Sequence, residues 1–247
     1  MALFEARQLH KRFGDQVVLE EINLRFEERQ LSGIMGPNGA GKTTCFNVLT
    51  GRYKPDRGQV LFRGKDITGF SPEAVVRQGI SRSFQIMSLF DDYTVLDNVV
   101  IALPEVRKRA LNPLYSLDAD SEVRDRAADI LRRVGLAGRE HVNAKSLSYG
   151  ERRALEIGLA LATSPEILFI DEPTAGLGSD ATARLSELII ELKESTTIVM
   201  IEHDMRFLFG LADHISVIHW GQVIAEGKPE ELRENKWVQR SNLGALA

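Results

Sequence analysis

The segment Gly36-Pro-Asn-Gly-Ala-Gly-Lys-Thr43 constrains this 247-residue chain more than any other feature of its sequence. It matches the pattern G-x-x-x-x-G-K-[ST], in which a phosphate-binding loop connects a strand to a helix. The apolar run from Gln30 to Met35 predicts that strand, and Lys42 to Thr50 predicts the helix, with Gly51 as its stop. A glycine-rich turn that binds nothing is the alternative. Because both flanking elements are present, the sequence predicts a nucleotide site.

Each residue type in this loop has a chemical reason to stand at its position. Glycine lets backbone N–H groups turn toward phosphate oxygens, and the helix N-terminus adds unpaired N–H donors. In this pattern Lys42 reaches the β- and γ-phosphates, and the Thr43 hydroxyl binds Mg²⁺. The loop residues expected to bind the nucleotide are Gly36, Pro37, Asn38, Gly39, Ala40, Gly41, Lys42, Thr43 and Thr44.

A second apolar strand, Ile167 to Ile170, ends in two carboxylates, Asp171 and Glu172. Its continuous apolar pattern is typical of a parallel strand that is covered on both faces. Ligands bind at the carboxyl edge of such sheets, so we expect this pair beside the phosphate loop. Asp171 would hold Mg²⁺, directly or through water, and Glu172 would act as the general base. Two solvated loop carboxylates are the alternative.

The rest of the chain alternates strand-like and helix-like segments, which is typical of an α/β protein with a mainly parallel sheet. Short strands are expected from about Leu3 to Phe26, and a single strand from Gln59 to Asp66. Helices dominate from about Phe90 to Asn143. One apolar stripe at helical spacing, closed by Gly135, comprises Val123, Ala127, Ile130, Leu131 and Val134.

Composition excludes several classes of protein. The net charge of −4 argues against a general binder of nucleic-acid backbones, and the single cysteine, Cys45, excludes an internal disulfide. No apolar run approaches the roughly 18 residues that span a bilayer, and the N-terminal segment lacks a signal-peptide core. We therefore expect a cytoplasmic chain that is soluble by itself. If it works at a membrane, something else must hold it there.

The segment Leu147-Ser-Tyr-Gly-Glu151 lies between the two nucleotide motifs and resembles the LSGGQ-type signature of ABC ATPases. The resemblance covers essentially the whole chain. It implies a P-loop NTPase ABC cassette with a RecA-like parallel-sheet core, an N-terminal antiparallel β layer and a helical subdomain. The implied single domain, 1–247, has its β layer and catalytic core at about 1–85 and 165–247. The helical subdomain, at about 90–160, carries the signature.

The resemblance also implies roles for residues outside the two motifs. Gln85 looks like the glutamine that senses the γ-phosphate, metal and water, His203 like the γ-phosphate histidine, and Phe13 like the aromatic that stacks on adenine. Ser148 and Gly150 would cap the γ-phosphate of another subunit, so that two cassettes sandwich two ATP molecules. Alternatively, Phe13 is a core aromatic, His203 is structural and Ser148 is an ordinary helix cap. The resulting catalytic set is Glu172, His203, Gln85 and Lys42, and the metal set is Thr43, Gln85 and Asp171.

Segments Gln85 to Phe90, Tyr93 to Asn98 and Glu202 to Met205 resemble importer ATPases for branched-chain amino acids and related amides or urea. This implies a second ATPase subunit, identical or different, membrane-spanning permease subunits, and a substrate-binding protein that acts indirectly, without nucleic acid. The chain would attach peripherally to the inner (plasma) membrane. The alternatives are the ATPase of a lipid or lipopolysaccharide exporter and a non-transport ABC ATPase.

The surface from Gln85 to about Leu103 would receive a permease helix. Its candidate apolar contacts are Leu89, Phe90 and Tyr93, which could instead form a small local core. One departure from the family pattern is Gly178, which stands where the family usually places the Asp or Asn that helps couple two sites.

Overall fold

A computed structural model describes residues 2–83, 89–109, 120–235 and 238 of the chain. The strands β1–β10 are Ala2–Phe13, Gln16–Glu27, Leu31–Met35, Arg57–Phe62, Lys65–Asp66, Ile80–Arg82, Ile167–Asp171, Thr197–Ile201, His214–His219 and Gln222–Gly227. The helices α1–α9 are Lys42–Leu49, Pro72–Val76, Val95–Ala102, Pro104–Arg109, Ser121–Arg133, Tyr149–Leu161, Ser179–Lys193, Met205–Leu211 and Pro229–Arg233.

Two sheets form the framework. The first is antiparallel, in the order β2-β1-β4-β5, and the second has the order β10-β9-β3-β8-β7-β6. Strands β9, β3, β8, β7 and β6 of the second sheet run parallel, and β10 pairs antiparallel with β9 at its edge. This mixed arrangement agrees with the predicted antiparallel layer and parallel core.

The buried apolar residues form two clusters on opposite faces of the parallel sheet. One cluster joins the antiparallel sheet, α1 and the near face of the parallel sheet. There the Phe169 ring lies edge-on to Phe46 and Phe4, with centroid distances of 5.2 and 5.4 Å. The other cluster packs α3, α5, α6 and α7 against the far face. Burial on both faces explains why β7 and β8 are continuously apolar.

Helix α5 confirms the predicted apolar stripe. The stripe residues Val123, Ala127, Ile130 and Leu131 are all buried, and Asp120 caps the helix by accepting from the backbone N–H of Val123. No described helix combines the length and the apolarity that crossing a bilayer requires.

The first two strands differ from expectation because they are long rather than short, with 12 residues each. Positive φ angles at Gln8 and Glu21 mark bulges, and the register between the strands shifts near them. A bulge reverses the inward–outward alternation of side chains, so the sequence looks like several short segments. The predicted strand from Gln59 to Asp66 is also wrong: Arg63 and Gly64 form a turn that divides it into β4 and β5.

The parallel sheet brings the expected functional segments to one edge. Within the register, Ile34 of β3 pairs with Ile201 of β8, and Asp171 of β7 pairs with the same residue. The chain therefore leaves β3, β7 and β8 at neighbouring points of the carboxyl edge. The exact division into core and helical subdomain stays a prediction.

Candidate nucleotide-binding site

The phosphate loop leaves β3 at Met35 and enters α1 at Lys42. Gly41 immediately precedes the helix with a φ of +100°, and a Cβ there would lie 2.8 Å from the carbonyl oxygen of Val18. At Gly36 a Cβ would overlap the carbonyl oxygen of Ile218. Glycine is therefore required at both ends of the loop, for backbone conformation and for close approach.

Lys42 lies folded over its own loop. Its side-chain Nζ donates to the carbonyl oxygens of Gly36, at 2.8 Å, and Pro37, at 3.0 Å. Burial lowers the pKa of Lys42, whereas the negative charges of Glu172 and Asp171 oppose that shift. The lysine predicted from the loop motif thus lies within the field of the predicted carboxylates. Thr43 is exposed on the first turn of α1, and Thr44 is half-buried.

Asp171 is completely buried at the end of β7, and its main partner is a residue that sequence reasoning did not assign. Arg82, at the end of β6, donates to Asp171 Oδ2 at 2.6 Å. The same guanidinium donates to Asn47 Oδ1, at 2.6 Å, and Thr50 Oγ1, at 3.3 Å, of the α1 region. The only sequence signal for this contact was an arginine at the end of a strand-like segment. The order of the strands in the folded sheet decides which residue such an arginine contacts.

The second carboxylate oxygen of Asp171, Oδ1, decides whether the site fits Mg²⁺. Asp171 Oδ1 is buried and has no hydrogen-bond partner among the described residues, which is unusual for a carboxylate oxygen. No group of three or more metal-ligating side chains occurs in the described ranges. Mg²⁺ is commonly bound by one or two carboxylates together with substrate phosphates and water, so one available oxygen fits that ion.

Glu172 and His203 lie next to each other at the carboxyl edge of the sheet. Their Oε1 and Nε2 atoms lie 2.6 Å apart, and both side chains remain partly exposed to solvent. Glu172 has a φ of +45°, an uncommon conformation for a residue with a side chain. Strained backbone of this kind persists only where surrounding contacts maintain it, and it clusters at functional sites.

One such contact comes from helix α6. Arg153, which is buried, donates to the carbonyl oxygens of Glu172, at 2.8 Å, and Pro173, at 3.3 Å. It also pairs with Glu156 at 2.9 Å. Burial raises the pKa of Glu156, and the Arg153 charge opposes that rise. The signature helix is therefore attached to the backbone of the predicted general base, another connection that the sequence did not reveal.

Ser148 caps helix α6 through a capping box. Its backbone N–H donates to Glu151 Oε2 at 2.8 Å, and its Oγ accepts from the backbone N–H of Glu151. Burial tends to raise the pKa of Glu151, but hydrogen bonds from Ser148 and the charge of Arg139 outweigh it and lower the pKa. Ser148 and Gly150 line a cleft of about 650 Å³ between α5, α6 and α7, and its described lining includes no residue of the phosphate loop.

Phe13 lies at the end of β1 and is 45% exposed, which excludes the alternative of a core aromatic. Its ring meets Tyr53 edge-on, with 5.3 Å between centroids.

Gln85 lies outside the described residues. Of the candidate permease contacts, Leu89 packs against the core, whereas Phe90 and Tyr93 are both about half exposed with their rings in edge contact. A small local core therefore does not account for that aromatic pair.

Comparison with known proteins identifies the family of this chain. The family model described as ABC transporter matches residues 19–175, and the chain belongs to this family. It is an ATP-binding subunit of an ABC transporter, and its fold class is confirmed.

Individual relatives match over almost the full length. The high-affinity branched-chain amino acid transport ATP-binding protein LivG of Salmonella typhimurium is 41% identical over 250 aligned positions, which cover 98% of each chain. The crystal structure of the ADP conformation of an ABC-transporter ATP-binding cassette matches with a TM-score of 0.88 and 31% identity over 99% of each chain. A dimeric cassette in a post-hydrolysis state, bound to ADP and Pi, matches with a TM-score of 0.76 and 27% identity, covering 92% of this chain and 98% of that one.

Proposed function

We propose that this protein hydrolyses ATP to power an ABC importer of branched-chain or related amino acids. The observation that carries the hydrolytic part is the 2.6 Å contact between Glu172 and His203 at the sheet edge where the phosphate loop begins. A carboxylate held by an oriented partner, beside a buried lysine, has the arrangement of a general base for attack on a phosphoryl group.

Each residue of the site then has a defined task. Lys42 exchanges the carbonyl oxygens of Gly36 and Pro37 for the β- and γ-phosphate oxygens of ATP. Glu172 accepts a proton from the attacking water, and His203 holds the Glu172 carboxylate and contacts the γ-phosphate. Phe13, which is exposed, stacks on adenine. Gln85, outside the described residues, keeps its expected role at the γ-phosphate, metal and water.

The Mg²⁺ site of the proposal consists of Asp171 Oδ1 and the Thr43 hydroxyl together with phosphate oxygens. When bound, Mg²⁺ supplies positive charge that neutralises the phosphates during transfer. Arg82 occupies the other Asp171 oxygen, so it keeps the carboxylate oriented toward the loop.

The active unit of the proposal is a sandwich of two cassettes. Ser148 and Gly150 line a cleft without phosphate-loop residues, so the signature serves the nucleotide of a second ATPase subunit, identical or different. The dimeric relative bound to ADP and Pi supports this assembly. The exposed pair Phe90 and Tyr93 faces permease subunits, which hold the protein at the cytoplasmic side of the membrane. The cargo class follows the name of the LivG relative.

Hydrolysis is tested by Glu172→Gln, with Glu166→Gln as the matched control. Glu166 immediately precedes β7 and Glu172 immediately follows it, and Glu166 accepts a hydrogen bond from Arg63 at 2.7 Å on the opposite edge of the sheet. Removing the base should lower turnover by about 10²-fold or more while Mg²⁺-ATP binding persists. The control should keep wild-type turnover. Wild-type phosphate release by Glu172→Gln would refute the assignment.

Transport is tested separately, by co-purification and by uptake. A complex with two multi-span membrane subunits, and loss of labelled leucine uptake in a deletion strain, are the expected results. Loss of lipid or lipopolysaccharide export in that strain, with leucine uptake unchanged, would identify an exporter instead.

A further inference from the structure

Glu202 is a buried carboxylate to which the proposed reaction assigns no role. It follows strand β8 directly, and its residue exposure is 3%. In the described part of the chain, neither lysine nor arginine forms an ion pair with it. A carboxylate buried without a cation is costly unless several hydrogen bonds satisfy it.

Four donors satisfy this carboxylate, and each oxygen serves a different segment. Oε1 accepts from the backbone N–H of Thr174, at 2.8 Å, and from the Thr174 hydroxyl, at 2.6 Å. Oε2 accepts from the backbone N–H groups of His203, at 2.8 Å, and Asp204, at 3.1 Å. One side chain therefore joins the loop after β7 to the turn after β8.

These two segments carry the two side chains that meet in the site. Thr174 lies two residues after Glu172, and His203 directly follows Glu202. Because Glu172 Oε1 and His203 Nε2 are 2.6 Å apart, the four residues close a ring of contacts. The positive φ of Glu172 requires support from its surroundings, and the Glu202 carboxylate fixes the loop only two residues away.

An ordinary helix cap does not explain Glu202. Helix α8 begins at Met205, and the side chain of Asp204 already caps it by accepting from the backbone N–H of Phe207, at 3.0 Å. The contacts of Glu202 reach instead across 28 residues of sequence to Thr174.

We propose that Glu202 is a positioning residue for ATP hydrolysis, whose carboxylate holds the Glu172 loop and the His203 turn in register. The inference rests on the proposed function of Glu172 and His203. None of the four hydrogen bonds involves the phosphate loop or Phe13, so the side chain acts on turnover and leaves nucleotide binding to those residues.

The decisive variant is Glu202→Gln. If its amide NH₂ faces His203 and Asp204, both backbone N–H bonds are lost. If it faces Thr174, only the N–H bond is lost, because the hydroxyl can turn and accept from the NH₂. One or two of the four hydrogen bonds are therefore lost. We expect kcat to fall by about 10- to 100-fold, as the loss of bonds to a charged acceptor predicts. The Kd for Mg²⁺-ATP, measured by titration calorimetry, should stay within about twofold.

Asp213→Asn is the matched control, since it makes the same carboxylate-to-amide change at the amino edge of the same sheet. Asp213 accepts from the backbone N–H of Leu31, at 2.8 Å, and pairs with Lys193, at 2.9 Å. This control should keep wild-type kcat. An equal loss of kcat in Asp213→Asn and Glu202→Gln would overturn the proposal, because both effects would then follow from general destabilisation.

Thr174 supplies a milder second test, which decides the matter if Glu202→Gln does not fold. Thr174→Val removes the hydroxyl donor alone and should lower kcat, whereas Thr174→Ser keeps the donor and should restore it.

Failure of the Glu202 proposal can be distinguished from failure of the proposed function. If Glu172→Gln abolishes turnover but Glu202→Gln and Thr174→Val do not lower it, only the role of Glu202 is refuted. If Glu172→Gln retains turnover, the proposed function itself is refuted.

Discussion

Replacing Arg82 by Met would test the ion pair that supports Asp171. Met keeps much of the length of the arginine stem but removes the guanidinium that donates to Asp171 Oδ2. Asp171 is completely buried and the Arg82 side chain is 14% exposed, so solvent cannot replace the lost partner at Oδ2. The variant also loses the hydrogen bonds from Arg82 to Asn47 and Thr50.

The expected cost follows from this burial. Removing one partner of a buried pair leaves an uncompensated charge and destabilises a protein by about 3–5 kcal/mol. For a domain of this size, each kcal/mol lowers the melting temperature by about 2–4 °C. The Arg82→Met protein should therefore melt roughly 6–20 °C below the wild type.

Thermal unfolding followed by circular dichroism measures the effect, with Arg63→Met as the matched control. Arg63 pairs with Glu166 at the surface, where their side chains are 58% and 41% exposed, and this control should cost less than about 1 kcal/mol. The double variant Arg82→Met/Asp171→Asn should recover part of the stability, because the buried charge is gone. A melting temperature of Arg82→Met within about 2 °C of the wild type would contradict the reasoning.

Two further predictions concern the phosphate loop and its helix. Gly41→Ala should lower the free energy of unfolding by about 1–3 kcal/mol. The residue has a φ of +100°, and the new Cβ would press on the carbonyl oxygen of Val18. Gly39→Ala, where a Cβ meets open space, should cost less in denaturant unfolding, and an equal cost would exclude the steric explanation. Cys45 is fully buried, and burial raises its pKa to about 12, so bulky maleimides should label it only after unfolding, with no acceleration from pH 7 to pH 9. Rapid labelling of the folded protein, seen by mass spectrometry, would show that the helix opens readily.

The sequence by itself determined the features that depend on neighbouring residues. The glycines of the phosphate loop, the helix cap at Ser148 and the apolar stripe of α5 are local patterns, because backbone conformation and helical spacing act over a few residues. Continuous apolar strands ending in polar residues also indicated the edge of the sheet where the site would form. Resemblance to a known family added the expected roles of Phe13, Ser148 and His203.

Only the tertiary structure decided which distant residues meet. The order of the strands places Arg82 against Asp171, 89 residues away, and Glu202 against Thr174. The bulges that lengthen β1 and β2 likewise depend on their pairing. No spacing rule encodes these contacts, since they follow from the packing of whole elements, and burial then determines how strongly each polar group needs its partner.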